Sequence, residues 1–259
     1  MKITVIGEKC IDEFIYGNCT RLNPEAPTPV FVEKQKKENL GMAANVVENL
    51  LSLGDITIFK FHQPESQIIK KTRYVDEVSN YIMLRVDLEE KVKRIKINDT
   101  LIEQIKSSDL LVISDYDKGF LHPGDLDILA KTSNISIIDT KKNIENTWAT
   151  SFDFIKMNKN EWENPMHVNK NNFIDKTIIT CGKYGASWRN KMYHGEEVEV
   201  MDVVGAGDSF LAGFSHMFVK SKDPEKSIKF GNLIAANAVK QRGVVNKINN
   251  IKDIYDKIK

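Results

Sequence analysis

The stretch MDVVGAGDSFLAGF, residues 201–214, places a carboxylate, Asp208, directly behind Gly-Ala-Gly and directly ahead of an apolar run. Phe210, Leu211, Phe214, Met217 and Phe218 recur at helical spacing, which predicts a helix beginning near Ala206 with that face buried. The first turn of a helix leaves N–H groups unpaired and carries partial positive charge. Asp208 can therefore be a plain helix-start carboxylate behind a turn. It can also be a base beside an anion site, because Gly205, Ala206 and Gly207 offer backbone donors that a phosphate can approach closely. Phosphoryl transfer needs both parts, donors aimed at the moving group and a carboxylate for the acceptor's proton. Spacing alone leaves both readings open.

Outward from this stretch the chain alternates two patterns. KITVIG (2–7), DLLVISD (109–115), ISIIDT (135–140), FDFIKMN (152–158) and KTIITCG (176–182) are short apolar runs that suit buried strands. Helical patterns lie between several of them, and PGDLDILAKT (123–132) opens with Pro at a first helical position. Strands alternating with helices predict a mainly parallel sheet covered on both faces, an α/β protein. Such sheets bind ligands at the carboxyl ends of their strands, where Asp115, Asp139, Asn158 and Gly182 fall. Two stretches break the alternation. Residues 12–33 are rich in turn residues, and 67–95 alternate apolar and polar side chains as a half-exposed sheet does. Both read as parts of a small β-lid inserted in a single unit spanning 1–259. Phe14, Tyr16 and Phe31 then pack the lid, residues 87–100 lead back to the body, and KINNIKDIYDKIK (247–259) reads as a short surface helix.

The 259 residues are 41% hydrophobic and 28% charged with a net charge of +1, as in a soluble globular protein. No basic stripe marks a nucleic-acid partner. The first apolar run is too short for a signal peptide, and no run reaches the length of a membrane span. Cys10, Cys19 and Cys181 lack a C-x-x-C spacing and read as reduced thiols of a cytoplasmic protein.

Asp-x-x-Gly-Ala-Gly-Asp-x-Phe (202–210) closely resembles the signature of the ribokinase-like, or PfkB, carbohydrate kinases. LGMAANVVENLLSLG (40–54) resembles that family's N-terminal Gly-Gly-Ala-Ala-Asn helix, and Asn158-x-x-Glu161 its magnesium and phosphate motif. RLNPEAPTPVFVEK (21–34), KTRY (71–74), LRVDLEE (84–90) and SDYDKGFL (114–121) resemble one branch, the heptose 7-phosphate kinase domain of bifunctional ADP-heptose biosynthesis proteins. The resemblance implies a three-layer α/β/α sandwich with a β-sheet lid. It also implies ATP and Mg2+ as cofactors, a sugar phosphate as substrate, D-glycero-D-manno-heptose 7-phosphate in this branch, and a homodimer formed through the lid. Another sugar or nucleoside acceptor, and a shortened pseudo-kinase that binds without turnover, are the rival readings.

Carried over residue by residue, the resemblance makes Asp208 the catalytic base and Gly205, Ala206 and Gly207 the anion hole. Asp12, Gly41 and Asn45 fall at sugar-contact positions. Arg73, Arg85 and Lys118 lie in the branch-specific stretches, where guanidinium and ammonium groups suit a phosphate. Asn158 and Glu161 attend the triphosphate, with Glu161 reaching magnesium through water. Thr180, Gly182 and Gly185 border the nucleotide, Asp202 orients its loop or metal-bound water, and Asn232, eleven residues before Gly243, passes the adenine.

Four departures stand out. Gly-Gly is Gly41-Met42 here, a frequent Thr is Val204, and Asp-Pro-Lys is Asp139-Thr140-Lys141. The stretch from Gly54 to Lys70 is much shorter than in the family and lacks its Val-Gly-x-Asp-x-x-Gly segment and helix.

Overall fold

The structure is a computed structural model and describes residues 1–89, 91–240 and 251–258. Gly243 and residues 247–250 lie outside the described residues.

The chain begins with β1 (Lys2–Gly7), β2 (Lys9–Leu22), β3 (Pro29–Met42), α1 (Ala43–Leu53) and β4 (Thr57–Phe61). It continues through β5 (Ile69–Asp76), β6 (Ile82–Glu89), α2 (Asp99–Lys106), β7 (Leu110–Asp115), α3 (Pro123–Thr132) and β8 (Ser136–Thr140). Then follow α4 (Asn146–Ala149), β9 (Phe154–Asn158), α5 (Lys159–Glu163), α6 (Lys170–Phe173) and β10 (Thr177–Thr180). The short strands β11 (Ala186–Trp188) and β12 (Lys191–Tyr193) precede α7 (Ala206–Ser221), α8 (Pro224–Val239) and α9 (Ile251–Asp256).

Eight strands form one sheet in the order β12-β11-β10-β9-β8-β7-β1-β4. From β4 to β10 the pairings are parallel, and β11 and β12 add an antiparallel edge. The apolar runs alternate their side chains between two cores. On one face Ile3, Val5, Val112 and Ile137 pack against α1 and α7 through Val46, Leu50, Phe210 and Phe214. On the other, Ile6, Leu111, Ile113 and Ile138 pack against α2 and α3 through Leu101, Ile105, Leu126 and Leu129. The result is a three-layer α/β/α sandwich.

The second sheet has the order β3-β2-β5-β6. Segments 12–33 and 67–95 run through it, but its strands reach further: β2 starts at Lys9, β3 continues to Met42, and residues 87–89 belong to β6. The strand character of 33–42 is hidden because EKQKKENL is almost uniformly polar, and pairing with β2 alone decides it. Phe14, Tyr16 and Val75 cluster on one face of this sheet, and Val204, from the loop ahead of α7, packs against them. Phe31 meets Tyr74 edge-on on the lid.

After β4, the edge strand beside β1, the chain enters β5 with no helix between, so the shortened stretch after Gly54 leaves β4 as the border of the large sheet. Near the C-terminus, α9 packs on Met217, Phe230 and Ile234 through Ile251, Ile254 and Tyr255, so one side of this surface helix is apolar and covered.

Candidate active site

Helix α7 begins where the sequence predicts. Gly205 sits at its N-terminus with φ 78°, a left-handed conformation costly for any side chain-bearing residue. Among the described residues no side chain caps this end, and residues 205–207 are partly open to solvent. The Ala206 N–H turns back onto the Val203 carbonyl at 3.3 Å, so of the expected anion hole it is the amide already engaged within the protein. Asp202 braces the same loop, its carboxylate accepting the Val204 N–H at 2.9 Å.

Asp208 is only 5% exposed. Its Oδ2 accepts from Asn45 Nδ2 at 3.0 Å and its Oδ1 from the Tyr116 hydroxyl at 2.9 Å. Burial pushes its pKa up to about 6, the two hydrogen bonds and Lys156 opposing the rise and Asp139 adding to it. A carboxylate poised near neutrality is suited to proton abstraction. Asn45 is placed differently from a free sugar contact. Its amide is committed to Asp208, while its Oδ1 and carbonyl accept from Asn49.

Asp12 and Arg73 meet directly. Arg73 Nη1 lies 2.5 Å from Asp12 Oδ1, with both side chains buried. Gly41 is opposite them, and a Cβ there would stand 2.0 Å from Asp12 Oδ2. Arg85 faces Arg73 across the β5–β6 pair and forks Asp87 through two bonds of 2.7 Å. The Lys118 N–H donates to Glu8 Oε1 at 3.0 Å.

At the other end of the sheet edge, Asn158 and Glu161 satisfy each other as the reciprocal cap of α5. Asn158 Oδ1 accepts the Glu161 N–H at 2.9 Å, and Glu161 Oε2 accepts the Asn158 N–H at 2.8 Å. Glu161 Oε1 pairs with Lys141. Thr180 ends β10 with its hydroxyl donating to the Met157 carbonyl at 3.2 Å, and Gly182 and Gly185 form the turn that follows. Asn232 is buried on α8, its amide donating to the Tyr193 carbonyl at 2.7 Å. It ties α8 to β12, so this amide donor is already spent on the backbone.

Residues 126–251 match the sequence profile of the pfkB family carbohydrate kinases. The bifunctional protein HldE of a Nitratiruptor species is 30% identical over 289 residues, covering 93% of this chain and 62% of the relative. The chain is similar to the pfkB family carbohydrate kinases. A similar protein, bifunctional protein HldE of Campylobacter jejuni (strain RM1221), is 30% identical over 301 residues, covering 100% of this chain and 64% of that one. The chain thus spans less than two thirds of the length of these relatives. Among solved structures, ribokinase from Thermotoga maritima superposes with a TM-score of 0.72 at 17% identity, covering 98% of each chain. Ribokinase of Arabidopsis thaliana, complexed with ribose and ATP, gives 0.72 at 14% identity over 99% of this chain and 98% of that one. These likenesses establish the ribokinase-like fold.

Lysines that sequence reasoning gave no role crowd the pfkB signature loop. Lys156, buried on β9, pairs with Asp139 at 2.5 Å, and a Cβ on Gly207 would come within 2.9 Å of its ammonium. Lys71, from the lid, lies 5.1 Å from the Tyr116 ring centroid, and Lys141 5.8 Å from it. A lysine inside the otherwise apolar FDFIKMN was a legible signal, because lysine is almost never fully buried without a partner. Beside the base of the lid, a cavity of about 260 Å³ lies between Lys9, Val47, Lys60 and His62, where the shortened stretch crosses.

Among the described residues no three His, Cys, Asp or Glu side chains gather to hold a metal by themselves. Glu161, already bonded on both oxygens within the protein, fits a magnesium ion held mainly by phosphate oxygens and water rather than by a protein cage.

Proposed function

We propose that this chain is an ATP-dependent carbohydrate kinase that phosphorylates a hydroxyl of a sugar phosphate. D-glycero-D-manno-heptose 7-phosphate, giving the 1,7-bisphosphate for nucleotide-activated heptose, is the acceptor that the branch-specific stretches and the HldE relatives favour. The observation that carries the reading is Asp208, buried and near-neutral in acidity beside the uncapped N-terminus of α7.

Asp208 takes the proton from the acceptor hydroxyl as its oxygen bonds to the γ-phosphorus. The bond from that phosphorus to the β,γ-bridging oxygen breaks, and ADP leaves with the bonding pair. The amides of Gly205 and Gly207, with the Lys156 ammonium close to Gly207, oppose the charge spread over the transferring group. Asp12, oriented by Arg73, meets sugar hydroxyls, while Lys71 and Arg85 on the same face of the lid sheet meet the acceptor's own phosphate. Lys118 stands at the loop beside them. ATP lies along 158–161 and 180–185, with Asp202 and Asn232 at the borders of its site. Magnesium, when bound near Glu161, supplies neutralising charge on the phosphates.

A homodimer through the lid belongs to the same reading. Ile82, Leu84, Val86 and Leu88 of β6 are between 48% and 56% exposed, an apolar row that a soluble monomer rarely leaves open. ATP as substrate argues for the cytoplasm, and no helix among the described residues is long and apolar enough to cross a membrane.

The test is ATP consumption across a panel of sugar phosphates, free sugars and nucleosides, with Asp208→Asn as control. The expected result is turnover that requires a sugar phosphate and falls by about 10²-fold or more in the variant. Acceptor-independent behaviour, or wild-type turnover in Asp208→Asn, overturns the reading.

A further inference from the structure

The residue with the most unexplained connections is Tyr116. Its hydroxyl is 2.9 Å from Asp208 Oδ1, although the two residues are 92 positions apart. The loop carrying it is held in an uncommon shape, with Asp117 at φ 57° and Gly119 at φ 102°, and Glu8 clamps that shape. The Glu8 carboxylate is fully buried and accepts the N–H groups of Tyr116 at 2.9 Å, Lys118 at 3.0 Å and Phe120 at 3.3 Å. The Glu8 carbonyl also accepts the Ala43 N–H at 2.9 Å, at the start of the helix that carries Asn45. One residue therefore sets the origin of both segments that grip the Asp208 carboxylate.

A carboxylate offers about four acceptor positions. Asn45 and Tyr116 take one on each oxygen, fix the plane of the group, and leave room on it for the acceptor hydroxyl. We propose that Tyr116 is a positioning residue for Asp208, its hydroxyl holding the carboxylate ionised and correctly turned, with Glu8 fixing where that hydroxyl stands. This rests on the reading of Asp208 as the base of a kinase.

Charged and titratable groups facing Asp208 come from several neighbouring elements. They are Asp139 on β8, Lys156 on β9, Lys141 after β8, Cys10 on β2 and Tyr116 itself. The Tyr116 pKa is pushed well above its ordinary value by burial and then by Asp208, so it stays a donor throughout the working range. Its ring, flanked by Lys71 and Lys141, is untouched by loss of the hydroxyl.

The experiment compares wild type with Tyr116→Phe in two ways. The first is the pH profile of kcat/KM for the best sugar phosphate. The second is a carbon-13 NMR titration of aspartate carboxyls, with the Asp208 signal assigned from Asp208→Asn. A donor to an ionised group is worth about one pH unit, so the Asp208 midpoint moves upward by about that much in Tyr116→Phe. The acidic limb of the profile moves with it, giving about a fivefold loss at pH 6, about tenfold below pH 5, that largely disappears above pH 8. An unshifted midpoint, or a loss equal at every pH, overturns the proposal and leaves the kinase reading intact. A shifted midpoint in a protein that turns over no acceptor overturns the kinase reading instead and upholds the hydrogen-bond assignment.

Discussion

Arg73 and Asp12 form a buried ion pair of 2.5 Å between neighbouring strands of the lid sheet, each side chain 7% exposed. The guanidinium also lies 5.1 Å from the Phe14 ring centroid. Removing one partner of a buried pair strands the other charge, which costs about 3–5 kcal/mol. Arg73→Met therefore lowers the urea midpoint strongly. Arg73→Met combined with Asp12→Asn recovers most of that stability, because no unpaired charge remains. It does not recover sugar affinity. Additive losses in this double-mutant cycle would show that the pair carries no coupling.

Gly41 is confined by the same carboxylate. A methyl group there would stand 2.0 Å from Asp12 Oδ2 and 2.6 Å from Cys10 Sγ. Gly41→Ala thus displaces Asp12, the residue proposed to meet the sugar hydroxyls. The expected outcome is a rise of about tenfold or more in KM for the sugar acceptor, with KM for ATP unchanged. Equal changes in both constants would count against a local effect.

The parallel sheet and the helix behind Gly-Ala-Gly were legible because both announce themselves locally. β-branched runs such as KITVIG and TIIT bury on both faces, and the helical spacing from Phe210 to Phe218 needs no partner to be read. The Asp208 environment was only half legible. Its place in the first turn of α7 follows from the signature loop, but its donors come from α1 and from the loop after β7, and no local pattern links them. The pairing of Arg73 with Asp12 was hidden for the same reason: it depends on the parallel register of β2 and β5. The reciprocal cap of Asn158 and Glu161 is, by contrast, local chemistry that the three-residue spacing carries on its face.

Asp208 also sets a pH dependence of stability. Its pKa is raised from 3.8 to about 6 by burial, so the folded state prefers the protonated form. The favourable contribution is full below the unfolded value and is lost as pH rises through about 6. Asp208→Asn, which cannot ionise, is then more stable than wild type at pH 8 by on the order of 2 kcal/mol. The difference shrinks toward zero near pH 4. Denaturant midpoints at the two pH values check it, and an advantage that grows on acidification contradicts it.

Val204, just ahead of Gly-Ala-Gly, packs on Phe14, Tyr16 and Val75 of the lid. An apolar side chain here joins the α7 loop to the lid sheet. Val204→Thr places a hydroxyl against that cluster, a swap that is not neutral despite equal size. Faster amide exchange in β2 and β5, with little change elsewhere, is the expected hydrogen-exchange pattern. Unchanged protection in both strands would separate Val204 from lid docking.

His216 provides the opposite pH signature from the C-terminal side. It is fully buried on α7, stacked on Phe230, with Nε2 against the Tyr255 hydroxyl of α9. Burial and the nearby Lys220 depress its pKa to about 3, so the folded state holds it neutral. Its contribution is complete above its ordinary value of 6.5 and erodes as pH falls toward 3. His216→Phe keeps the aromatic stack and removes the proton site. Between pH 7.5 and pH 5 wild type should therefore lose more stability than the variant, even though Asp208 gains over the same interval in both proteins. Urea midpoints for the two proteins at the two pH values decide the matter. An equal loss in both assigns the acid sensitivity elsewhere and leaves the docking of α9 to its apolar contacts with Met217, Phe230 and Ile234.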